Sequence, residues 1–191
     1  MTELRRLLVD KERLENLLNK DDCLVLNNEE KHYLSRVLRL RHGNQVSIVD
    51  GFGSLWTASL EGFNSIQLTS TFDKPLVYEP LPRILVCLAV VLPKRGFEDV
   101  LRMGCEIGVD VFQPLSSEHR VSKGGMENRQ TRWTSILREA MEQSERLWMP
   151  ELRKTIEIKD WLMNLPSQSA YAVATTRLGE SIELTSWLKS V

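Results

Sequence analysis

Between Lys31 and Gly43 the chain carries Lys31, Arg36, Arg39 and Arg41, with His32 and His42 and no acidic residue. Four cations without a counter-charge suit phosphate, because each phosphate they neutralise releases condensed counterions and adds affinity. A solvated helix face has the same composition, and both readings stand at this level. Nothing spaced with His32 suggests a metal site, and it reads as a hydrogen-bonding helix residue. A second row of charge lies between Arg129 and Pro150. Wound at about 100° per residue, Arg132, Glu139, Gln143 and Arg146 fall on one stripe, opposite an apolar face of Trp133, Ile136, Leu137, Ala140, Met141, Leu147 and Trp148. Such a stripe is ordinarily solvated scaffold.

The elements that must position these rows divide in two. Residues 1–75 read as a small β-rich domain: a first strand around Leu7 to Val9, a short helix from Asp10 to Leu18, a strand from Cys23 to Leu26, and a helix from Glu29 to Leu38 capped by Asn28 and buried through Tyr33, Leu34, Val37 and Leu38. QVSIVDGFGSLWTASLEGFNSIQLTSTF alternates apolar and polar residues and is broken at Asp50-Gly51, Gly53 and Gly62, which predicts antiparallel hairpins in a small barrel or curled sheet. Residues 76–82, within PLVYEPLP, form the linker, since that segment holds three of the seven prolines. From 83 to 191 strands and helices alternate. RILVCLAVVLP predicts a central strand covered on both faces. Gly96 to Ile107 predicts a helix ended by Gly108, and Val109 to Pro114 the next strand. A polar loop, the helix 129–150, a short helix from Asp160 to Leu165, a strand from Ser169 to Ala174 and a weak helix from Thr185 to Lys189 follow. This order implies an open, largely parallel α/β sheet, with ligands beyond the carboxyl ends of its strands.

The totals bound the class. At 191 residues, 42% hydrophobic and 27% charged, the chain has an ordinary soluble composition, with no stretch apolar enough to span a bilayer and no signal peptide, so a cytoplasmic location is expected. Cys23, Cys87 and Cys105 are too scattered for a disulfide framework or a metal site, and no metal is expected. A net charge of −1 gives no global footprint for nucleic acid, so RNA binding must rest on local patches. No G-x-G-x-x-G, Walker A or nucleophile-elbow motif occurs, which removes support for a dehydrogenase, a nucleotide hydrolase and a serine hydrolase.

RRLLV at 5–9, HYLSRVLRLRHGNQVSIVDGFG at 32–53, LPKRGFEDVLRMGCEIGVDVFQPLSSEHRV at 92–121 and RWTSILREAMEQSERLWMPEL at 132–152 together resemble the bacterial 16S ribosomal RNA uridine N3-methyltransferase family. That family belongs to the knotted SPOUT class of S-adenosylmethionine-dependent enzymes. Lys94, Glu98, Glu106, Gly108, Arg120, Arg132, Trp133, Glu139, Gln143, Arg146 and Pro150 stand at its motif positions, whereas Met103 stands where the family usually has lysine. The resemblance implies a PUA-like RNA-binding barrel followed by a SPOUT-type α/β domain, a homodimer, and a target uridine in 16S rRNA of the small ribosomal subunit.

Family members continue into G-P-E-G-G and a second knot segment, and neither occurs before Val191. The expectation is therefore a C-terminally truncated domain with an incomplete cofactor pocket, inactive as it stands. The alternative in a different class is a non-catalytic RNA-binding or dimerisation fragment. The resemblance implies methyl transfer to the uracil N3, which demands loss of the imide proton and stabilisation of charge on O2 and O4. Glu139, Arg146 and Arg120 are the candidates for that chemistry. Thr175 and Thr176 are the candidates for the first cofactor loop, and Lys31, Arg36, Arg39, Arg41, Lys94, Arg132 and Gln143 for RNA contact.

Overall fold

The computed structural model describes residues 4–16, 23–117, 126–174 and 182–190. Arg120, Thr175 and Thr176 lie outside the described residues.

Alternation along the N-terminal strands builds the first unit. Its elements are β1 (Arg6–Leu8), α1 (Lys11–Glu15), β2 (Cys23–Val25), α2 (Asn28–His32) running into one π turn (Tyr33–Val37), β3 (Gln45–Val49), β4 (Ser54–Glu61), β5 (Ser65–Leu68) and β6 (Val77–Tyr78). They form a six-stranded sheet in the order β1-β3-β4-β5-β2, with β6 paired to β4. β1 runs parallel to β3, and the remaining pairs are antiparallel. Val46, Ile48, Trp56, Ala58, Leu60 and Ile66 point into one core. Trp56 stacks on Phe72 at 5.1 Å, and its ring N–H donates to the Phe72 carbonyl at 3.1 Å.

The second unit comprises β7 (Cys87–Val91), α3 (Phe97–Glu106), β8 (Val111–Ser116), α4 (Met126–Gln143), β9 (Glu151–Leu152), β10 (Ile156–Glu157), α5 (Ile158–Met163) and α6 (Leu184–Leu188). Its sheet runs β10-β8-β7, with β9 also on β8, and every pair is parallel. α3 and α4 pack together through Phe97 and Trp133, whose rings meet edge to face at 4.7 Å. Gly104 lets α3 close onto β8, since a Cβ there would stand 2.7 Å from the Phe112 ring. Gly108, at φ +98°, ends α3 as expected: its N–H donates to the Cys105 carbonyl, and the Val109 N–H to the Gly104 carbonyl.

The two units share a core. Leu8, Val49 and Leu55, from the back of the N-terminal sheet, pack with Leu101, Leu137 and Met141. For this reason β3 is buried on both faces from Val46 to Val49 instead of alternating. The turn between β3 and β4 closes the junction: Gly53 N–H donates to the Leu147 carbonyl at 2.9 Å, and Met149 N–H to the Gly51 carbonyl at 2.9 Å. Residues 76–79 are drawn into the same junction, where Leu76 N–H donates to Leu55 and Glu79 N–H to Gly53.

Four expectations are corrected. The cap of α2 is Asn27, one residue earlier than expected, because Asn27 and Glu30 form a reciprocal capping box that Asn28 cannot. β7 is the outer strand of the described sheet and β8 the central one, since only Leu88, Val90 and Leu92 of the apolar run reach the core and Val91 is exposed. α4 ends at Gln143, not near Pro150, as Glu145 takes a left-handed φ of 60°. Residues 169–174 form no strand and pair with none of the described strands.

Candidate RNA-binding and catalytic surfaces

The basic row is held by a buried carboxylate at its root. Glu30, 4% exposed, accepts the Asn27 N–H at 2.8 Å and pairs with Arg13 at 2.5 Å. Arg13 also donates to the Val25 carbonyl at 2.8 Å, which ties α1, β2 and α2 together. The backbone then widens into the π turn, with the Leu38 N–H bonding back to Tyr33 at 2.9 Å. Widening turns Val37 out, to 59% exposure, while Leu34 stays buried. Arg36, Arg39 and Arg41 are exposed, with no ion-pair partner among the described residues; Lys31 is half-buried. His42 stands 3.7 Å from Glu61. These arginines keep the solvent-facing, uncompensated charge that phosphate binding requires.

The stripe on α4 does not survive as one surface. Because β7 and β8 are parallel, the segment after each strand lies at the carboxyl edge of the sheet and each returning helix ends at the amino edge. Lys94, exposed after β7, stands at the carboxyl edge. Arg132 lies on the same side, bound to Glu98 at 2.8 Å in an exposed pair. Arg146 is at the opposite, amino edge. Its guanidinium donates to the Cys105 carbonyl at 3.1 Å, the Val109 carbonyl at 2.6 Å and the Asp110 carboxylate at 2.8 Å. With side-chain exposures of 15% and 13%, Arg146 and Asp110 form a part-buried clasp over the end of α3. Glu139 is exposed on the second half of α4, and Gln143 is exposed at its end, on the amino-edge side.

α4 also grips β1, through residues that periodicity did not single out. Glu142 accepts the Leu8 N–H at 2.8 Å, Arg138 donates to the Leu8 carbonyl, and Arg6 pairs with the Glu145 carboxylate at 3.1 Å. Burial pushes the Glu142 carboxyl above its ordinary value; the Leu8 amide and Arg138 pull it down, while Glu139 and Glu30 push it up. The i, i+4 pair Arg138 and Glu142, beside the apolar Leu137 and Met141, was the sequence signal for this contact.

Two clefts flank the junction. One, of about 470 Å³, is lined by Glu79, Ile84, Glu106, Asp110, Arg146 and Trp148 at the amino edge. The other, of about 260 Å³, is lined by Arg5, Arg6, Tyr33, Glu142, Gln143 and Glu145 between the two units. Among the described residues no group of three or more His, Cys, Asp or Glu could hold a metal ion, and no helix is long and apolar enough to cross a membrane.

A β-rich module, with arginines unpaired among the described residues, is fused through one core to a parallel α/β sheet. The chain belongs to the RNA methyltransferase domain family, which it matches over residues 79–190, and residues 26–72 match the RNA methyltransferase PUA domain. It is similar to ribosomal RNA small subunit methyltransferase E of Synechocystis, at 36% identity over 159 residues covering 81% of this chain and 51% of the relative. The Bacillus subtilis protein of the same name is 28% identical over 155 residues, 76% of this chain and 59% of the relative. The chain thus spans little more than half the length of these relatives. The crystal structure of ribosomal RNA small subunit methyltransferase E from Neisseria gonorrhoeae, bound to S-adenosylmethionine, superposes with a TM-score of 0.68 at 22% identity, covering 86% of this chain and 67% of that one.

Proposed function

We propose that this chain is the RNA-recognising and catalytic-fold part of an S-adenosylmethionine-dependent methyltransferase that modifies N3 of a uridine in 16S ribosomal RNA. The observation that carries the reading is the shared core joining a PUA-family unit, with its unpaired Arg36, Arg39 and Arg41, to a methyltransferase-family sheet. The relatives' names support small-subunit ribosomal RNA as the substrate. The same reading takes the protein as a cytoplasmic homodimer.

S-adenosylmethionine would supply the methyl group. The described residues do not by themselves make a site for it: Val91, Pro93 and Lys94, at the carboxyl edge, are exposed. The Thr155 hydroxyl, beside that half of β8, is the buried side-chain oxygen without a partner among the described residues. On the RNA side, the uracil N3–H needs a proton acceptor, and its O2 and O4 need a positive partner. Glu139 is exposed, without a hydrogen-bond or ion-pair partner among the described residues, and suits the first role. Of the arginines proposed for the second, Arg146 is committed to the clasp, which leaves the role to Arg120.

The test is incubation with methyl-labelled S-adenosylmethionine and unmodified 16S rRNA or small subunits, followed by digestion to nucleosides. Labelled 3-methyluridine is the expected product. Label in another nucleoside would overturn N3 as the target, and RNA binding without any label would favour the alternative, a non-catalytic RNA-binding fragment.

A further inference from the structure

The cleft between β1, the π turn and the end of α4 brings together groups that neither the shared core nor the basic row uses. Tyr33 is half-buried, one side of its ring packed on the N-terminal core and its remaining surface lining the cleft. Its hydroxyl has no hydrogen-bond partner among the described residues. Across the cleft stands Gln143, exposed, its carboxamide likewise without a partner. Arg5 lines the same space without an ion-pair partner among the described residues, whereas its neighbour Arg6 is spent on Glu145. The acidic groups on the wall are Glu142, already bound to the Leu8 amide, and Glu145, bound to Arg6.

An aromatic ring, a carboxamide that both donates and accepts, and a free guanidinium are the three parts that single-stranded RNA recognition uses. The ring takes the face of an unstacked base, the amide reads its edge, and the cation takes its phosphate. Tyr33 is also the first residue of the π turn that carries Arg36, so a strand leaving the cleft along that turn meets Arg36 and then Arg39. We propose that this cleft is a single-nucleotide subsite, taking one unstacked base of the RNA between Tyr33 and Gln143 with its phosphate on Arg5. The inference rests on the RNA methyltransferase reading. It adds a base-contacting site at the junction of the two units, away from the carboxyl edge where the sheet would place its reaction. Because both units line the cleft, an occupied subsite fixes the path of the RNA from the PUA-family unit across α4.

The experiment is fluorescence anisotropy of a labelled single-stranded 16S rRNA oligonucleotide titrated with the 191-residue chain and its variants over a series of salt concentrations. Tyr33→Ala is expected to weaken binding about ten-fold or more, while Tyr33→Phe, which keeps the ring, stays within about two-fold. Gln143→Ala changes an exposed side chain and leaves the fold intact, so it guards against a misfolded Tyr33→Ala; it is expected to weaken binding several-fold. Arg5→Ala is expected to lower the salt slope by about one. Wild-type affinity and salt slope in Gln143→Ala and Arg5→Ala, with binding still lost on removal of Arg36 and Arg39, would overturn the subsite and leave the methyltransferase reading standing. Failure of the unaltered chain to bind the RNA at any salt concentration would overturn both.

Discussion

The Glu142 carboxylate, on the last turn of α4, accepts the backbone N–H of Leu8 at 2.8 Å. Arg138 takes the Leu8 carbonyl, so one helix satisfies both backbone polar groups of Leu8, which face away from β3. An edge strand is thus sealed by side chains instead of by another strand, and the N-terminal sheet is fastened to the methyltransferase unit at the same point.

Burial raises the folded-state value of Glu142, so the folded protein holds its proton more tightly than the unfolded chain does. Between the ordinary carboxylate range and that raised value the fold binds more protons, and stability falls as pH rises through the window. Glu142→Gln keeps an acceptor for Leu8 and removes the titration. Urea midpoints from about pH 4 to 8 should therefore fall less in the variant than in the parent. Superimposable profiles would show that Glu142 does not titrate in this contact. Glu142→Ala, which leaves the amide without its acceptor, should cost about 1–3 kcal/mol.

Arg146 tests whether a family-motif arginine is structural or chemical. Arg146→Met removes the ion-pair partner of the part-buried Asp110 carboxylate, which keeps only the Val86 N–H, together with the guanidinium bonds to the Cys105 and Val109 carbonyls, and should destabilise the protein by about 3 kcal/mol. Equilibrium denaturation measures this directly. A wild-type midpoint together with lost methyl transfer would instead assign Arg146 to the reaction.

Gly53 sits at φ +95°, and a Cβ there would stand 2.1 Å from the Glu79 carbonyl oxygen and 2.8 Å from the Trp148 ring nitrogen. Gly53→Ala must therefore part the strap at 76–79 from the β3–β4 turn. The expected outcome is a loss of more than about 1 kcal/mol, with a red shift of tryptophan emission as Trp148 loses its bond to Glu79.

Arg36→Ala combined with Arg39→Ala removes two exposed cations that have no ion-pair partner among the described residues. Binding to 16S rRNA should weaken and its salt slope flatten by about two, as read from a log–log plot of affinity against salt. An unchanged slope would take the basic row out of the RNA interface.

Much of this molecule was legible before its structure was known, wherever a residue's fate depends on close neighbours in the chain. The glycine end of α3, the hairpin from Gln45 to Leu68, the apolar face of α4 and the exposed basic row all follow from local spacing. Misplacement began where the outcome depended on distant partners. The run at 83–93 is apolar enough for a central strand, yet strand order makes β8 central. Arg146 lies on the α4 stripe only if the helix continues, and the turn at Glu145 carries it to Asp110 instead.

By itself the sequence determined the family, most of the longer elements and the residues available for chemistry, because these are written in motifs and in periods of two and 3.6 residues. Only the tertiary structure decided which charges are free. Arg36 and Arg39 remain unpaired among the described residues, while Arg146 is consumed in the clasp on Asp110 and Glu142 in holding the two units together. The physical reason is that Leu8 and Glu142, 134 residues apart, meet only once both sheets and α4 have packed on the shared core. No local pattern encodes that meeting.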